Sequence, residues 1–407
     1  GVQDPRFVRA LLAIGIVIVV GATSAPLALY ETYKREMGFS DLTLAVLAAS
    51  SVVGLIAAVV FAGRLSDAIG RRPVMLPGLG LAALMLVLLT AAPNVELLFA
   101  GRLVGGAAVG LYTGAATAAL AELAPDGDTR RAARLAAMAS VAGFASGPVV
   151  GGIFAEYLPW KLQLVYIAYG LLLVPTLAGV LAMRETVLER TGWSLRPQRL
   201  RTPPTGGRMF ALGCLLALCA YSLTCMFQSL GPSIVIRLLD LDNRALVTVI
   251  VASFLSTSAL AQLYLRRWPI RRATLIGLSL LPVGGLLITF AIVEGSIEAF
   301  VAGCVVGGFG QGLTYLGGQS LVEIVAPAAI RAEVFSTYLI VVYMSGSAPA
   351  TILGYVAREV GLHSAVVGYT IVVASLAAAT LALCVVVLRR EPVRRPSPIT
   401  ASSIRVD

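Results

Sequence analysis

The sequence contains the stretch Gly63-Arg64-Leu65-Ser66-Asp67-Ala68-Ile69-Gly70-Arg71-Arg72-Pro73. It lies between two long segments, 42–62 and 74–91, which are apolar apart from a few hydroxyl side chains. A stretch this short can turn a chain round at a membrane surface, but it is too short to form a domain. The pattern therefore predicts a charged hairpin between two membrane spans.

Two glycines and one pair of opposite charges in this hairpin favour a turn. Gly63 and Gly70 permit tight turns, because glycine has no Cβ that clashes at positive φ. Asp67 and Arg71 lie four residues apart, so one helical turn brings them together. We expect an ion pair at this membrane face.

The composition agrees with a membrane protein. Hydrophobic residues make up 58% of the 407-residue chain, charged residues make up 13%, and the mean hydropathy is +0.89. A soluble domain carries roughly a quarter charged residues. The fold class predicted from these numbers is an all-α membrane protein.

Twelve apolar runs are long enough to span a bilayer, which takes about 20 residues in a helix. They are too long and too unbroken for the alternating strands of about ten residues that build membrane barrels. In the first half of the chain the runs are 8–29, 42–62, 74–91, 95–118, 135–155 and 162–183. In the second half they are 209–236, 245–265, 273–293, 299–320, 334–356 and 362–388.

The distribution of Lys and Arg predicts the orientation. If both termini are cytoplasmic, most of the 31 basic residues lie on the cytoplasmic side, as membrane proteins favour. This bias also accounts for the net charge of +10 without any binding of nucleic acid. The segment 184–208, rich in Arg and Pro, is expected to be a cytoplasmic linker on the inner leaflet, either as a tether or with a regulatory role.

The two halves of the chain look like copies of one another. Five pairs of identical residues are separated by 201 positions, in corresponding spans: Arg71 and Arg272, Gly106 and Gly307, Glu122 and Glu323, Arg130 and Arg331, Pro148 and Pro349. The repeat predicts two pseudo-symmetric six-helix bundles, 1–183 and 209–388, followed by a cytoplasmic tail, 389–407. Two such halves with a substrate site between them are typical of transporters.

The spacing G-x-L-x-D-x-x-G-R-R of the hairpin resembles the cytoplasmic loop signature of the major facilitator superfamily. The sequence departs from it at Ala68, where that family usually has a basic residue. Glu122, at the inner end of the fourth span, is placed to meet Arg71. The resemblance implies a conformational latch that approaches the start of the eleventh span near Val334, with the residues Gly63, Asp67, Gly70, Arg71, Arg72 and Glu122.

A second motif lies in the fifth span, where small residues recur every fourth position. Such a stripe lets another helix approach closely, and Pro148 should bend the span. Ordinary helix packing explains the stripe, but the string from 143 to 152 also resembles the fifth-span signature of drug:proton antiporters in this superfamily. The resemblance implies that this span packs the two halves together and that the protein exports its substrate. The residues expected at this packing contact are Gly143, Gly147, Pro148, Gly151 and Gly152.

Two charged residues are candidates for proton coupling. Arg102 lies within the fourth span, where a guanidinium is costly unless it faces a polar interior; it either resembles the coupling arginine of the family or reaches to lipid headgroups. No carboxylate lies in the middle of a predicted span, and Glu31, at the outer end of the first span, is the best remaining acid. The alternative for Glu31 is a solvated acid beside Lys34 and Arg35.

Polar and aromatic side chains within the spans are candidates for lining a substrate cavity. Amides inside a span are explained either by a ligand or by hydrogen bonds between helices. The candidates are Ser24, Tyr30, Tyr112, Tyr221, Gln228, Gln311, Tyr315, Gln319, Tyr338 and Tyr343.

Together these patterns predict a transporter of the inner cell membrane and not an enzyme. The chain has no phosphate-binding loop for ATP, and its single histidine leaves hydrolytic chemistry without a base. No metal or other cofactor is expected. We expect a proton-driven, monomeric exporter of small amphipathic molecules; the alternatives are a dedicated exporter of one metabolite or siderophore, an uptake symporter, and a membrane sensor of the same fold.

Overall fold

The computed structural model describes residues 4–62, 65–124, 128–187, 200–241, 243–265, 268–327 and 330–390. Gly63 of the predicted latch, the centre of the predicted linker and the predicted tail from 391 onward lie outside the described residues. The predicted domain boundaries stay predictions.

The described chain forms fourteen α-helices, twelve of which are long and apolar enough to cross a membrane. The first six spans are α1 (Pro5–Ser24, continued by a 3₁₀ turn at Ala25–Ala28), α3 (Asp41–Ala62), α5 (Arg71–Thr90), α6 (Val95–Glu122), α7 (Thr129–Tyr157) and α8 (Leu164–Ala182). The last six are α9 (Gly207–Leu238), α10 (Arg244–Leu265), α11 (Ile270–Glu294), α12 (Ile297–Val325), α13 (Arg331–Val360) and α14 (Leu362–Arg390). Two short helices, α2 (Tyr30–Met37) and α4 (Leu65–Ile69), lie between spans.

Most of the spanning helices extend a few residues beyond their apolar runs, and three of these extended starts are capped by a side chain. α7 begins six positions before its apolar run, where the side chain of Asp128 accepts a hydrogen bond of 3.0 Å from the backbone N–H of Arg131. Such a cap satisfies one of the free N–H groups at a helix start. The predicted existence of twelve spans is confirmed, and most of their ends differ from the apolar runs by a few residues.

α2 lies in a polar stretch that the apolar pattern of the sequence does not predict to be helical. Pro26 lacks a backbone N–H, and the chain passes through the 3₁₀ turn at this point before it resumes an α-helix at Tyr30. α2 ends at Gly38, whose φ of +71° is a conformation that favours glycine. The polar side chains that follow the first span are therefore held on a helix and not in a loop.

Successive spans run in opposite directions, so α1 begins and α14 ends on the same side. We call that side the terminal face and the opposite side the distal face. α1 and α9, the first span of each half, are the most deeply buried. Between the halves, α3 packs on α13 and α7 packs on α10.

Equivalent close crossings occur in both halves. A Cβ on Gly78 would lie 2.9 Å from the backbone nitrogen of Tyr112, where α5 crosses α6. A Cβ on Gly277 would lie 2.6 Å from the backbone nitrogen of Thr314, where α11 crosses α12. The matching crossings support the proposed duplication of a six-span unit.

Candidate functional site

The two halves meet closely at the distal face, through one glycine on each side. A Cβ on Gly354 of α13 would lie 2.6 Å from the Cβ of Ala45 and 2.9 Å from the backbone oxygen of Asp41 on α3. A Cβ on Gly152 of α7 would lie 2.9 Å from the backbone oxygen of Arg244 on α10. Gly152 and Gly354 are 202 positions apart, one more than the repeat separation of 201, so the two contacts lie within one residue of equivalent places in the repeat.

Polar side chains join the halves at the same face. Asp41 accepts hydrogen bonds of 3.1 and 3.2 Å from one guanidinium nitrogen of Arg237 on α9, and it is also paired with Lys34 of its own half. The backbone N–H of Arg244 donates to Glu156 at 2.9 Å. We call these contacts, together with the two glycine contacts, the distal seal.

Glu31 is a buried carboxylate beside these contacts, and we include its hydrogen bond to the second half in the distal seal. It is 5% exposed and accepts a hydrogen bond of 2.7 Å from the hydroxyl of Ser233 on α9. Its other oxygen lies 3.4 Å from the Nε of Arg35, one turn further along α2. Glu31 is therefore not the solvated acid of the alternative interpretation.

Glu31 borders a cavity between the halves. The cavity has a volume of about 260 Å³. Its lining residues are Ala28, Glu31, Thr32, Arg35, Glu156, Ile236 and Arg244. Two acids and two arginines thus face one small space at the distal face.

Arg102 points into the first half and not toward lipid. It is 4% exposed, donates to Ser51 at 2.8 Å and to the backbone oxygen of Thr23, and stands 5.7 Å from the centre of the Tyr30 ring. This position excludes the headgroup interpretation in this structure. Burial raises the pKa of Tyr30, and the charge of Arg102 lowers it in part, so the phenol stays neutral near pH 7.

At the terminal face, Arg71 joins the acids that the hairpin pattern brings together. Its guanidinium donates to Glu122 at 2.7 and 2.9 Å, to Ser66 at 2.8 Å, and to Asp67. The side chain of Asp67 remains 62% exposed. These contacts are present as the sequence indicates, and their role as a latch stays a prediction.

One acid of this cluster was missed in the sequence. Glu185, just after α8, accepts hydrogen bonds from the backbone N–H of Arg71 at 2.8 Å and of Arg72 at 3.1 Å. It thereby caps the start of α5, where N–H groups lack partners and a negative charge is favoured. Gly70 has a φ of +114°, and a Cβ there would lie 2.5 Å from a Glu185 oxygen, which explains the glycine.

The predicted approach of Asp67 to the eleventh span is not formed in this structure. Asp67 pairs with Arg71, whereas Val334 packs in an apolar cluster with Phe210 and Tyr338. Glu333, next to Val334, is paired at 3.2 Å with Arg201 of the segment that precedes α9. Because Asp67, the one acid of the hairpin, pairs with Arg71 of its own half, its contact with the eleventh span stays a prediction.

The glycine stripe of the fifth span contacts a different partner from the one expected. Gly143 and Gly147 lie against the backbone of α1, and Gly151 lies against the 3₁₀ turn, all within the first half. Gly152, about 100° further round the helix, is the glycine that faces the second half, and Pro148 lines a narrow space beside Phe227 of that half. The expectation that all five residues pack between the halves is wrong for Gly143, Gly147 and Gly151 in this structure.

Five of the predicted cavity residues are buried in helix packing. They are Ser24, Tyr30, Tyr112, Gln311 and Tyr338. Gln311 accepts a hydrogen bond from Ser258, which is the interhelical explanation for this amide. The interpretation of these five as lining an open cavity does not hold in this structure, because neighbouring helices cover their side chains.

The other five predicted cavity residues are half-buried. They are Tyr221, Gln228, Tyr315, Gln319 and Tyr343. The rings of Tyr221 and Tyr315 are 5.3 Å apart in an edge-to-face arrangement, and Gln228 lines the narrow space beside Pro148. Contact of these residues with a substrate stays a prediction.

Comparison with known proteins agrees with the arrangement of spans. Residues 11–351 match the family model of the Major Facilitator Superfamily. Among solved structures, a bacterial homolog of the human lysosomal transporter Spinster is similar, with a TM-score of 0.74 and 14% identity, over 98% of this chain and 100% of that chain.

Curated relatives are resistance and export proteins. The chain is 30% identical over 251 residues to the puromycin resistance protein pur8 of Streptomyces alboniger, which covers 60% of this chain and 47% of the relative. It is 29% identical over 167 residues to the cephamycin export protein CmcT of Amycolatopsis lactamdurans, over 40% of this chain and 34% of the relative. The chain thus matches about half, or less, of the length of these relatives.

Proposed function

Because the chain belongs to the Major Facilitator Superfamily, we propose that this multi-pass membrane transporter exports small amphipathic organic molecules in exchange for protons. The names of the relatives support export, since one confers resistance to puromycin and another exports cephamycin. The absence of a phosphate-binding loop supports a secondary energy source.

The terminal face is cytoplasmic in this proposal. The excess of Lys and Arg on that side supports this orientation. The distal face then borders the outside of the cell membrane, and the structure corresponds to a state that is closed to the outside.

The observation that carries the proposal is the distal seal, in which the halves are joined by hydrogen bonds and by two close glycine contacts. These few contacts can separate together when one half tilts against the other. A continuous apolar interface between the halves would resist that separation. Breaking them opens the protein to the outside, and Asp67 then reaches the start of α13. The two halves thus give alternating access to a site near the middle of the membrane.

Glu31 and Arg102 are the proposed coupling residues. Glu31 lies where the halves separate, so its exposure to water changes between the two states. The guanidinium of Arg102 lies 5.7 Å from the ring of Tyr30, the first residue of α2, which also carries Glu31. An ionisable group held at a moving interface is a means of coupling proton transfer to motion.

A dedicated exporter of one metabolite is the second candidate, and the similarity to the cephamycin export protein favours it. Both candidates are tested by expression in an efflux-deficient bacterium, with cellular accumulation of puromycin, a quinolone and a cephamycin as the measurement. Export predicts lower accumulation in expressing cells, and a Glu31→Gln variant should restore it. A narrow response to one compound would favour the dedicated exporter, and higher accumulation than in control cells would contradict export.

A further inference from the structure

Asp41 is a carboxylate at the distal face that two cations share. It is the first residue of α3, in the first half. Lys34 of α2 contacts one of its oxygens. From the second half, one guanidinium nitrogen of Arg237, in the last turn of α9, lies 3.1 and 3.2 Å from its two oxygens. Asp41 thus has one partner from its own half and one from the opposite half.

Lys34 is held on the first half by the short helix that carries it. Its neighbour Tyr33 is 2% exposed, and the Tyr33 hydroxyl donates a hydrogen bond of 3.1 Å to the hydroxyl of Tyr166 on α8. Three residues connect the end of α2 to the start of α3. Lys34 and Asp41 therefore stay in contact when the halves move apart, whereas Arg237 leaves with the second half.

The three charges have different effects on closure, because charges on one half keep their separation when the halves move. The attraction between Lys34 and Asp41 is the same in both states and favours neither of them. The attraction between Arg237 and Asp41 acts when the face is closed, and so does the repulsion between the two cations. Arg237 therefore favours the closed state, whereas Lys34 opposes it.

Lys34 has a second effect once the face is open. The side chains of Lys34 and Asp41 are 16% and 10% exposed, so water screens their charges little. A shielded carboxylate that loses its cationic partner is left with a costly unpaired charge. Because Lys34 stays on Asp41, the departure of Arg237 leaves the acid paired. Both effects of Lys34 favour opening.

We propose that Lys34 is a positioning residue of the transport cycle, which holds Asp41 while Arg237 binds and leaves, and which thereby favours opening of the distal face. Two cations on the same acid thus have opposite roles. The proposal rests on the opening of this face in the proposed function, and it depends neither on protons nor on the identity of the substrate.

The test uses a reporter inside the distal seal, at the contact on the other side of the protein from Asp41. Thr248 of α10 is 1% exposed and packs against Gly152 of α7. The full chain, with its five native cysteines replaced by alanine and with Thr248→Cys, is purified in lipid nanodiscs and treated with a neutral, water-soluble maleimide. When opening and closing are fast relative to alkylation, the rate of alkylation is proportional to the open fraction.

Lys34→Gln should slow the alkylation by about two- to fivefold, and Arg237→Gln should accelerate it by a similar factor, as for partly exposed ion pairs. The double variant should react at the rate of Arg237→Gln alone, because the cation that Lys34 opposes is then absent. Lys161→Gln is the matched control, since it removes a positive charge from an exposed position at the same face of the first half. It should leave the rate unchanged.

A loosened or misfolded protein would react faster in every variant, so it cannot produce the slower reaction expected of Lys34→Gln. Faster alkylation in Lys34→Gln would make Lys34 a structural part of the seal and would overturn the proposal. An unchanged rate would also overturn it, as would an equal slowing in the Arg237→Gln background.

Efflux from cells is measured with the same variants, which separates this proposal from the proposed function. The expected rates of alkylation without efflux of any compound would contradict export but keep the role of Lys34. Efflux together with unchanged rates of alkylation would keep export and overturn the role of Lys34.

Discussion

Replacement of Gly354 by leucine should prevent the distal face from closing. A Cβ at this position already lies 2.6 Å from the Cβ of Ala45, whereas two carbon atoms in favourable contact are about 3.5–4.0 Å apart. α3 and α13 would have to separate by about 1 Å for the first atom alone, and the rest of the leucine side chain adds to this. The substitution therefore acts as a wedge in the distal-closed state.

The size of the effect follows from the cost of overpacking. An inserted side chain in a close-packed contact costs about 1–3 kcal/mol. If the distal-closed state alone carries this cost, the ratio of closed to open molecules falls by about 5- to 150-fold. Gly368→Leu on α14 is the matched control, because a Cβ there meets nothing within 4 Å.

Electron spin resonance measures the result as a distance between spin labels. Leu158 and Leu246 are exposed positions near the distal ends of α7 and α10, one on each half. Gly354→Leu should move the distance distribution of labels at these sites to longer values, and Gly368→Leu should not. An unchanged distribution in Gly354→Leu, in a protein that is folded and monodisperse, would refute the wedge.

Arg102, Gly70 and Glu185 each make contacts whose loss has a measurable effect. Arg102→Lys should reduce transport more than tenfold in an efflux assay and change the melting temperature by only a few degrees. A single ammonium group cannot reproduce the forked guanidinium, which donates to both Thr23 and Ser51. Full transport activity of the variant would contradict this. Gly70→Ala should lower the free energy of unfolding by about 1–3 kcal/mol, because the new Cβ is strained at this φ and contacts Glu185. The loss is measured as a lower melting temperature. Gly38→Ala is strained in the same way but its Cβ meets nothing within 4 Å, so this variant should lose less stability. Glu185→Gln should destabilise the chain by about 0.3–2 kcal/mol through loss of the charge at the start of α5, with a smaller loss at high salt; an equal loss at both salt concentrations would contradict the electrostatic explanation.

Local spacing in the sequence predicted part of the structure. The long apolar runs predicted the twelve spans, since the bilayer requires length and apolarity that can be counted. The spacing of Asp67 and Arg71 predicted their ion pair, because one turn of helix fixes their separation. The position of Glu122 at the end of its span indicated the third member of that cluster.

Features that depend on how helices cross were not predicted. α2 is polar and was hidden by the search for apolar runs, although Glu31 and Arg35 have the four-residue spacing of a helical pair. The four-residue period of the glycine stripe predicted close packing but not the identity of the partner helix. The bond between Glu31 and Ser233 joins two different helices, and no spacing within one segment predicts such a contact.

Transport in everted membrane vesicles tests the central claim most directly. The vesicles expose the terminal face to the medium, an imposed gradient makes their lumen acidic, and uptake of labelled puromycin is measured. We predict accumulation that requires the gradient, is abolished by a protonophore and is lost in Glu31→Gln. Equal uptake by vesicles with and without the protein, for puromycin and for a panel of drugs and metabolites, would contradict a proton-driven exporter.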